Sequence, residues 1–265
     1  SPEFKRYLKA FLPENNFNLT YPVLFKKSKN DQSRINLIIP TLEPEKVYGG
    51  ITTALKLFKN IIESGSYDQV RIIVTTDGVS LRAVKYVNSF FKDNFSISKG
   101  NNKDGFLLNS IIPLKTNSER ILDISEKDLY VSSAWWTADL GLRIVNKQND
   151  FFKKDGKLIY LIQDFEPGFY PQGTTYANAK ATYQEGKKII AIINSEELYN
   201  FFSNYFDFFE SYYVPFELND KLLKELNKYA NSSKQIARKK IIICYGRPST
   251  PRNCFDTIVS GLKKW

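Results

Sequence analysis

From residue 35 onward the chain alternates between short continuous apolar runs and longer stretches in which apolar residues recur every three or four positions. Residues 35–40 (INLIIP), 70–76 (VRIIVTT), 128–133 (DLYVSS), 157–163 (KLIYLIQ) and 187–194 (KKIIAIIN) are of the first kind. Such runs predict strands buried on both faces. Residues 51–64 (ITTALKLFKNIIES), 80–95, 134–147, 174–186 and those after Ser195 are of the second kind and predict helices. Ser195 suits a helix N-cap, and Gly186 suits a stop. Residues 107–114 (LLNSIIPL) and 211–216 (SYYVPF) predict two further strands, the second ended by Pro215. Strand and helix in alternation predict a parallel sheet covered on both faces, a doubly wound, Rossmann-like α/β domain over residues 35–218.

The flanks read differently. Residues 1–34 form a lead-in whose opening Ser-Pro-Glu-Phe reads as a tag remnant, followed by a short helix and an extended segment. Residues 219–238 are polar, end in Asn-Ser-Ser and predict a linker helix. Residues 239–248 (KKIIICYGRP) predict a new strand and 253–265 a helix, the first strand–helix unit of a second Rossmann-like domain. One such unit buries too little to form a core by itself, so 239–265 reads as a truncated domain.

Composition narrows the chemistry. Hydrophobic residues reach 42% of 265, enough for a sizeable core, and aromatics reach 15% with 20 Phe and 16 Tyr. No apolar run is long enough to span a bilayer. The formal net charge of +10 fits nucleic acid, an anionic membrane surface or a phosphorylated substrate. No nucleic-acid-binding motif accompanies it, so a nucleic-acid partner is not expected. Cys244 and Cys254 are too few for a disulfide framework and read as reduced structural thiols. The chain has no histidine, which leaves proton transfer near neutral pH to carboxylates, Tyr, Lys or the substrate.

Ligands of a parallel α/β sheet lie beyond the carboxyl ends of its strands. Three stretches fall there. In 47–55 (VYGGITTAL), Gly49 and Gly50 open a helix after Tyr48, where backbone N–H groups favour an anion. A glycine turn needed only for chain reversal explains them equally well. In 132–140 (SSAWWTADL), Trp135 and Trp136 cannot face the same way. One belongs in the core, while the other suits a sugar ring at the crevice; for either one taken alone, core packing is the stronger reading. In 160–172 (YLIQDFEPGFYPQ), Asp164 leaves the strand end, Glu166 follows, and Pro167, Gly168 and Tyr170 turn the chain. A carboxylate against apolar walls suits proton transfer or hydroxyl binding, and capping of a nearby helix is the alternative. Farther on, Arg247 and Arg252 flank a helix start, a good diphosphate clamp or a solvated pair.

Taken together, NLIIPTLEPEKVYGGITTAL, SSAWWTADL, YLIQDFEPGFYP and YGRPSTPRNCFDTIV resemble the rhamnosyltransferases of bacterial surface-glycan synthesis, in retaining glycosyltransferase family 4. The closest resemblance is to the type that builds a rhamnan chain on an S-layer glycan. It covers residues 34–265 by motif. The resemblance implies a GT-B fold of two Rossmann-like domains, the first on the acceptor side and the second binding a nucleotide sugar. It implies a dTDP-sugar donor such as dTDP-rhamnose, no essential metal or other cofactor, and a lipid-linked or oligosaccharide acceptor. It also implies a cytoplasmic location at the inner face of the cell membrane, with peripheral membrane contact. Gly49, Gly50, Arg247 and Arg252 would hold the donor diphosphate, with Arg252 standing where lysine is commoner. Asp164 would bind or deprotonate the acceptor hydroxyl, with Tyr48, Trp135, Trp136, Glu166 and Tyr170 around it. The family's Glu-x7-Glu element lies beyond residue 265. A non-catalytic glycan-binding module, or an inactive partner subunit, is the rival expectation.

Overall fold

The computed structural model describes residues 19–98, 109–116, 120–215, 220–230, 241–244, 246, 248 and 253–264. The chain divides into two units, Ser1–Pro215 and Phe216–Trp265. Among the described residues of the first, the strands in chain order are β1 (Leu24–Lys27), β2 (Arg34–Ile39), β3 (Gln69–Val74), β4 (Ser96–Ile97), β5 (Asn109–Pro113), β6 (Ile121–Ile124), β7 (Asp128–Ser132), β8 (Leu158–Ile162), β9 (Ile189–Ile193) and β10 (Glu210–Tyr213). Its helices are α1 (Gly49–Ser64), α2 (Leu81–Phe91), α3 (Trp135–Phe152), α4 (Thr174–Gln184) and α5 (Glu196–Tyr205).

Eight strands form one sheet in the order β10-β9-β8-β7-β2-β3-β5-β4, and every pairing is parallel. From β2 the chain winds one way through β3 and β5, then returns to build β7, β8 and β9 on the other side. The strand order reverses between β2 and β7, which puts the ligand crevice of such a sheet at their carboxyl ends. One sheet face packs α1 and α2 through Ala54, Leu55, Phe58, Ala83 and Val87. The opposite face packs α3, α4 and α5 through residues such as Ala138, Ile144, Tyr183 and Phe202. The doubly wound, Rossmann-like expectation therefore holds.

Local chemistry explains where several elements stop. The helix expected over 80–95 ends at Phe91, because Lys92 adopts a left-handed conformation (φ 55°) and closes it through its N–H on Asn88 O. The helix expected over 134–147 runs on to Phe152 and stops at left-handed Lys153. Ser195 caps α5 as its sequence suggests, accepting the Leu198 N–H at 3.2 Å.

Strands β1 and β6 form a separate parallel pair that the hydrophobic pattern did not announce. It is anchored by a buried ionic cluster at the amino ends of β2, β3 and β7. Arg34 Nε and Nη2 bond both oxygens of Asp128 at 2.7 and 2.9 Å, and its Nη1 reaches Asp123 Oδ2 on β6 at 3.2 Å. Arg71 on β3 reaches Asp123 Oδ1 at 2.9 Å and donates from Nε to Asn36 Oδ1. Tyr130 and the Ser125 N–H complete the shell of Asp128. Two guanidiniums and two carboxylates balance, so the charges survive burial with their hydrogen bonds met.

In the second unit, α6 (Asp220–Ala230) and α7 (Phe255–Lys264) are helical. The expected strand is not seen: described residues 241–244 carry no strand pairing. A strand needs a neighbour to satisfy its backbone, which propensity cannot supply. Cys244 and Cys254 are exposed rather than buried structural thiols. No helix among the described residues is long and apolar enough to cross a membrane.

Candidate functional site

The first wall of the crevice is the β2–α1 connection. Thr41 Oγ1 accepts the Glu43 N–H at 3.2 Å, starting the turn. Glu43 then takes both the backbone N–H and the hydroxyl of Ser80, each at 2.7 Å, and so braces the loop on the start of α2. Lys46 meets Asp77 at 2.9 Å, an exposed pair that sets geometry more than stability. The chain enters α1 at Tyr48, which is 72% exposed. No side chain among the described residues caps this end of α1, and no acidic residue stands in its first turn. Its leading N–H groups therefore carry the positive end of a 16-residue helix dipole at the sheet edge. A Cβ on Gly49 would meet nothing within 4 Å, so neither space nor a left-handed backbone demands glycine there. Gly49 leaves the backbone open to approach.

The second wall follows β8. Gln163 Nε2 donates to Gly50 O at 3.0 Å, spanning β7 to join the tip of β8 to the opening of α1. Asp164 comes next and is exposed, so the apolar enclosure expected around it does not form. Its Oδ1 accepts the Phe165 N–H at 2.8 Å, which fixes the carboxylate's direction. The Asp164 carbonyl accepts from the Tyr183 hydroxyl at 3.4 Å. Tyr183 and Tyr160 stack with ring centroids 5.6 Å apart and share a hydroxyl contact of 3.3 Å. Burial pushes both phenols up, with the nearby Glu166 charge adding to it, so both remain neutral donors.

Glu166 has a defined local task. The N-cap of α3 is Ala134, which has no side-chain acceptor. Thr137 reaches back to the Ser133 and Ala134 N–H groups, and Glu166 Oε2 takes the next one, from Trp135. A carboxylate at a helix N-terminus is favoured by the free N–H and by the dipole together. Glu166 also accepts from Tyr160, and so locks the β8 loop, α3 and the tyrosine stack into one piece.

The paired tryptophans divide. Trp135 is 1% exposed and donates its indole N–H to the Tyr170 hydroxyl at 2.9 Å. Trp136 is half-buried, and its indole N–H is enclosed without a partner among the described residues. An enclosed donor left unpaired costs about 1–3 kcal/mol, and this nitrogen is shut off from solvent. Arg247 and Arg252 lie outside the described residues.

The structure thus brings Gly49, Gly50 and Asp164 to one sheet edge through Gln163, with Glu166, Trp135 and Tyr170 bound together behind them. Gln163 and Tyr183 were missed by sequence reasoning. Gln163 lies within the 160–172 motif, but an uncharged amide at a strand end gives no signal of the segment it will reach.

The family of the WsaF N-terminal domain matches residues 34–196, more than half of the chain and all of the sheet from β2 to β9. This chain belongs to that family. The domain is one of S-layer glycan rhamnosyltransferases, which supports a glycosyltransferase of surface-glycan synthesis. No curated protein matches the sequence.

Proposed function

We propose that this WsaF-family protein is a metal-independent, retaining glycosyltransferase that moves rhamnose from a dTDP-sugar to a growing bacterial surface glycan. The observation that carries the reading is the Gln163–Gly50 hydrogen bond at 3.0 Å, which sets an exposed carboxylate beside an uncapped, glycine-opened helix where the strand order reverses. In this reading the N–H groups opening α1 face the donor diphosphate and stabilise it as the sugar–phosphate bond breaks. Asp164 Oδ1 is held by Phe165, and Oδ2 accepts the acceptor hydroxyl's hydrogen bond and orients it toward the anomeric carbon. The hydroxyl oxygen bonds to that carbon on the face the diphosphate leaves, and its proton passes to the departing phosphate oxygen. Trp136 is half-buried, and the part of its ring left open could lie against a sugar. By the resemblance, Arg247 and Arg252 are proposed as further donor-diphosphate cations. The net charge of +10 suits an acceptor carried at an anionic membrane face.

The test is a screen of dTDP-, UDP- and GDP-sugars with the full-length enzyme and rhamnosyl acceptors, with and without EDTA. Transfer from dTDP-rhamnose that is unaffected by EDTA and yields the same anomeric configuration is the expected result. Loss of activity with EDTA, or an inverted product, would overturn the corresponding part of the proposal.

A further inference from the structure

Phe165 faces two ways in its role. Its backbone N–H fixes the Asp164 carboxylate, while its ring forms the inner wall of a groove of about 530 Å3 between α4 and α5. That volume lies within the roughly 300–1,000 Å3 typical of small-ligand pockets. Tyr183, Phe201 and Phe206 continue the aromatic wall, and Tyr205 stands at it 73% exposed, its ring 4.9 Å from that of Phe201. Lys180 and Gln184, one turn apart on α4, supply an ammonium and an amide on the same side. Asp207 joins them as an acceptor and also pairs with Lys187 at 2.6 Å. None of these side chains has a part in the transfer chemistry proposed above.

Resting on that glycosyltransferase reading, we infer that the α4–α5 groove is a second carbohydrate site, which holds the already assembled part of the acceptor glycan. A pyranose ring has C–H faces that lie against aromatic rings and a rim of hydroxyls that needs donors and acceptors; the groove offers both. A methyl-bearing deoxysugar gains further apolar contact. Other occupants fit less well. An acyl chain calls for a wholly apolar channel, and here a Lys, a Gln and an ion pair interrupt it. A phosphate is held best by several converging cations, and with Lys187 paired to Asp207 the groove's described lining offers Lys180 alone. The site is joined to the reaction centre by a single residue, since Asp164 and Phe165 are neighbours and Tyr183 touches both. A glycan lying along the groove would run from its Phe165 end, next to Asp164, toward Lys187 and Asp207 at the amino ends of β9 and β10.

The experiment measures binding of a neutral rhamnose tetrasaccharide to the protein by calorimetry and saturation-transfer NMR, for the wild type, Tyr205→Ala and Lys180→Ala, with inorganic phosphate as a separate titrant. Tyr205 is exposed at the end of α5, so its loss leaves the core intact, and circular dichroism checks this. Tyr205→Ala is expected to weaken tetrasaccharide binding about tenfold, equivalent to about 1.4 kcal/mol. In transfer assays its KM for the tetrasaccharide should rise in parallel, while KM for a monosaccharide acceptor and kcat stay unchanged. Unchanged tetrasaccharide affinity in both variants, or binding of phosphate with none of the tetrasaccharide, would overturn the assignment. Tetrasaccharide binding that Tyr205→Ala weakens, in a protein that transfers no sugar, would refute the transferase reading and leave the groove assignment standing.

Discussion

Asp128→Asn is the most direct probe of what holds the sheet's amino end together. The substitution keeps the side chain's shape and removes one charge. In the native protein that carboxylate binds Arg34 twice, at 2.7 and 2.9 Å, and accepts from the Ser125 N–H at 2.8 Å and the Tyr130 hydroxyl at 2.7 Å. Without it, two buried guanidiniums face Asp123 alone. Removing one member of a buried ion pair costs about 3–5 kcal/mol, because the partner charge remains buried and unmatched. For a domain of this size that corresponds to a fall in Tm of about 2–4 °C per kcal/mol. Thermal and urea unfolding followed by circular dichroism at neutral pH reads it. Replacing the pair together, Arg34→Met with Asp128→Leu, should recover a large part of the loss, since the remaining Arg71 and Asp123 balance each other. Burial pushes the Asp128 carboxyl up, but Arg34, then Arg71 and the Ser125 N–H outweigh it and hold the group below the usual carboxylate range. A lowered folded value means the stabilisation is complete above about pH 4 and drains away as pH falls through the folded value. Wild type should therefore show an acid limb that Asp128→Asn lacks. A loss under about 1 kcal/mol, the scale of an exposed pair, would refute the account of a balanced buried cluster.

Other outcomes follow from the same coordinates. Asp164→Asn should abolish sugar transfer while calorimetric binding of the donor persists; near-normal turnover would reduce Asp164 to a loop cap. Gly49→Ala meets open space and replaces a poor helix former, so stability should hold or rise by up to about 1 kcal/mol while KM for the nucleotide sugar increases; an unchanged KM would leave the glycine without a ligand role. Gly141→Ala in α3 would set a methyl 2.6 Å from Leu158 Cδ1 and 2.8 Å from Ser132 Oγ, both buried, and should cost about 1–3 kcal/mol in urea unfolding. Burial raises the phenol of Tyr21 to about 12, partly offset by Arg120 and Arg143, and raises Tyr130, Tyr160 and Tyr183 as well. Raised folded values mean their contribution is whole below about pH 10 and is lost as pH climbs toward those values. Absorbance at 295 nm should show part of the tyrosines ionising only as the circular dichroism signal collapses.

The elements that were legible in the sequence share one property: their pattern is set by burial of a whole face. Residues 35–40 and 70–76 read as strands because both of their faces are covered, 187–194 because one face is buried and the other half-buried, and α1 reads as a helix because one stripe of it is buried. The small sheet of β1 and β6 was not legible. Its strands are short, Phe25 is only half-buried and Lys26 exposed, and the pair is held as Leu122 and Ile124 enter the core and Asp123 joins Arg34 and Arg71, distant in sequence. Arg71 within an apolar run gave no sign that it is 1% exposed. At the site, the motif around Asp164 marked the right loop. Its division of labour was hidden, because Glu166 serves a helix that begins 31 residues earlier.

By itself, the order of apolar and polar residues determined a parallel, doubly wound sheet and which loops lie at its carboxyl edge. Strand burial and crossover handedness leave few other ways to cover those surfaces. Only the tertiary structure decided that Gln163 would reach Gly50, that Asp164 would stand open to solvent and that Glu166 would close the end of α3. Hydrogen bonds and ion pairs between separate segments depend on distances between side chains, and a linear pattern carries no distances.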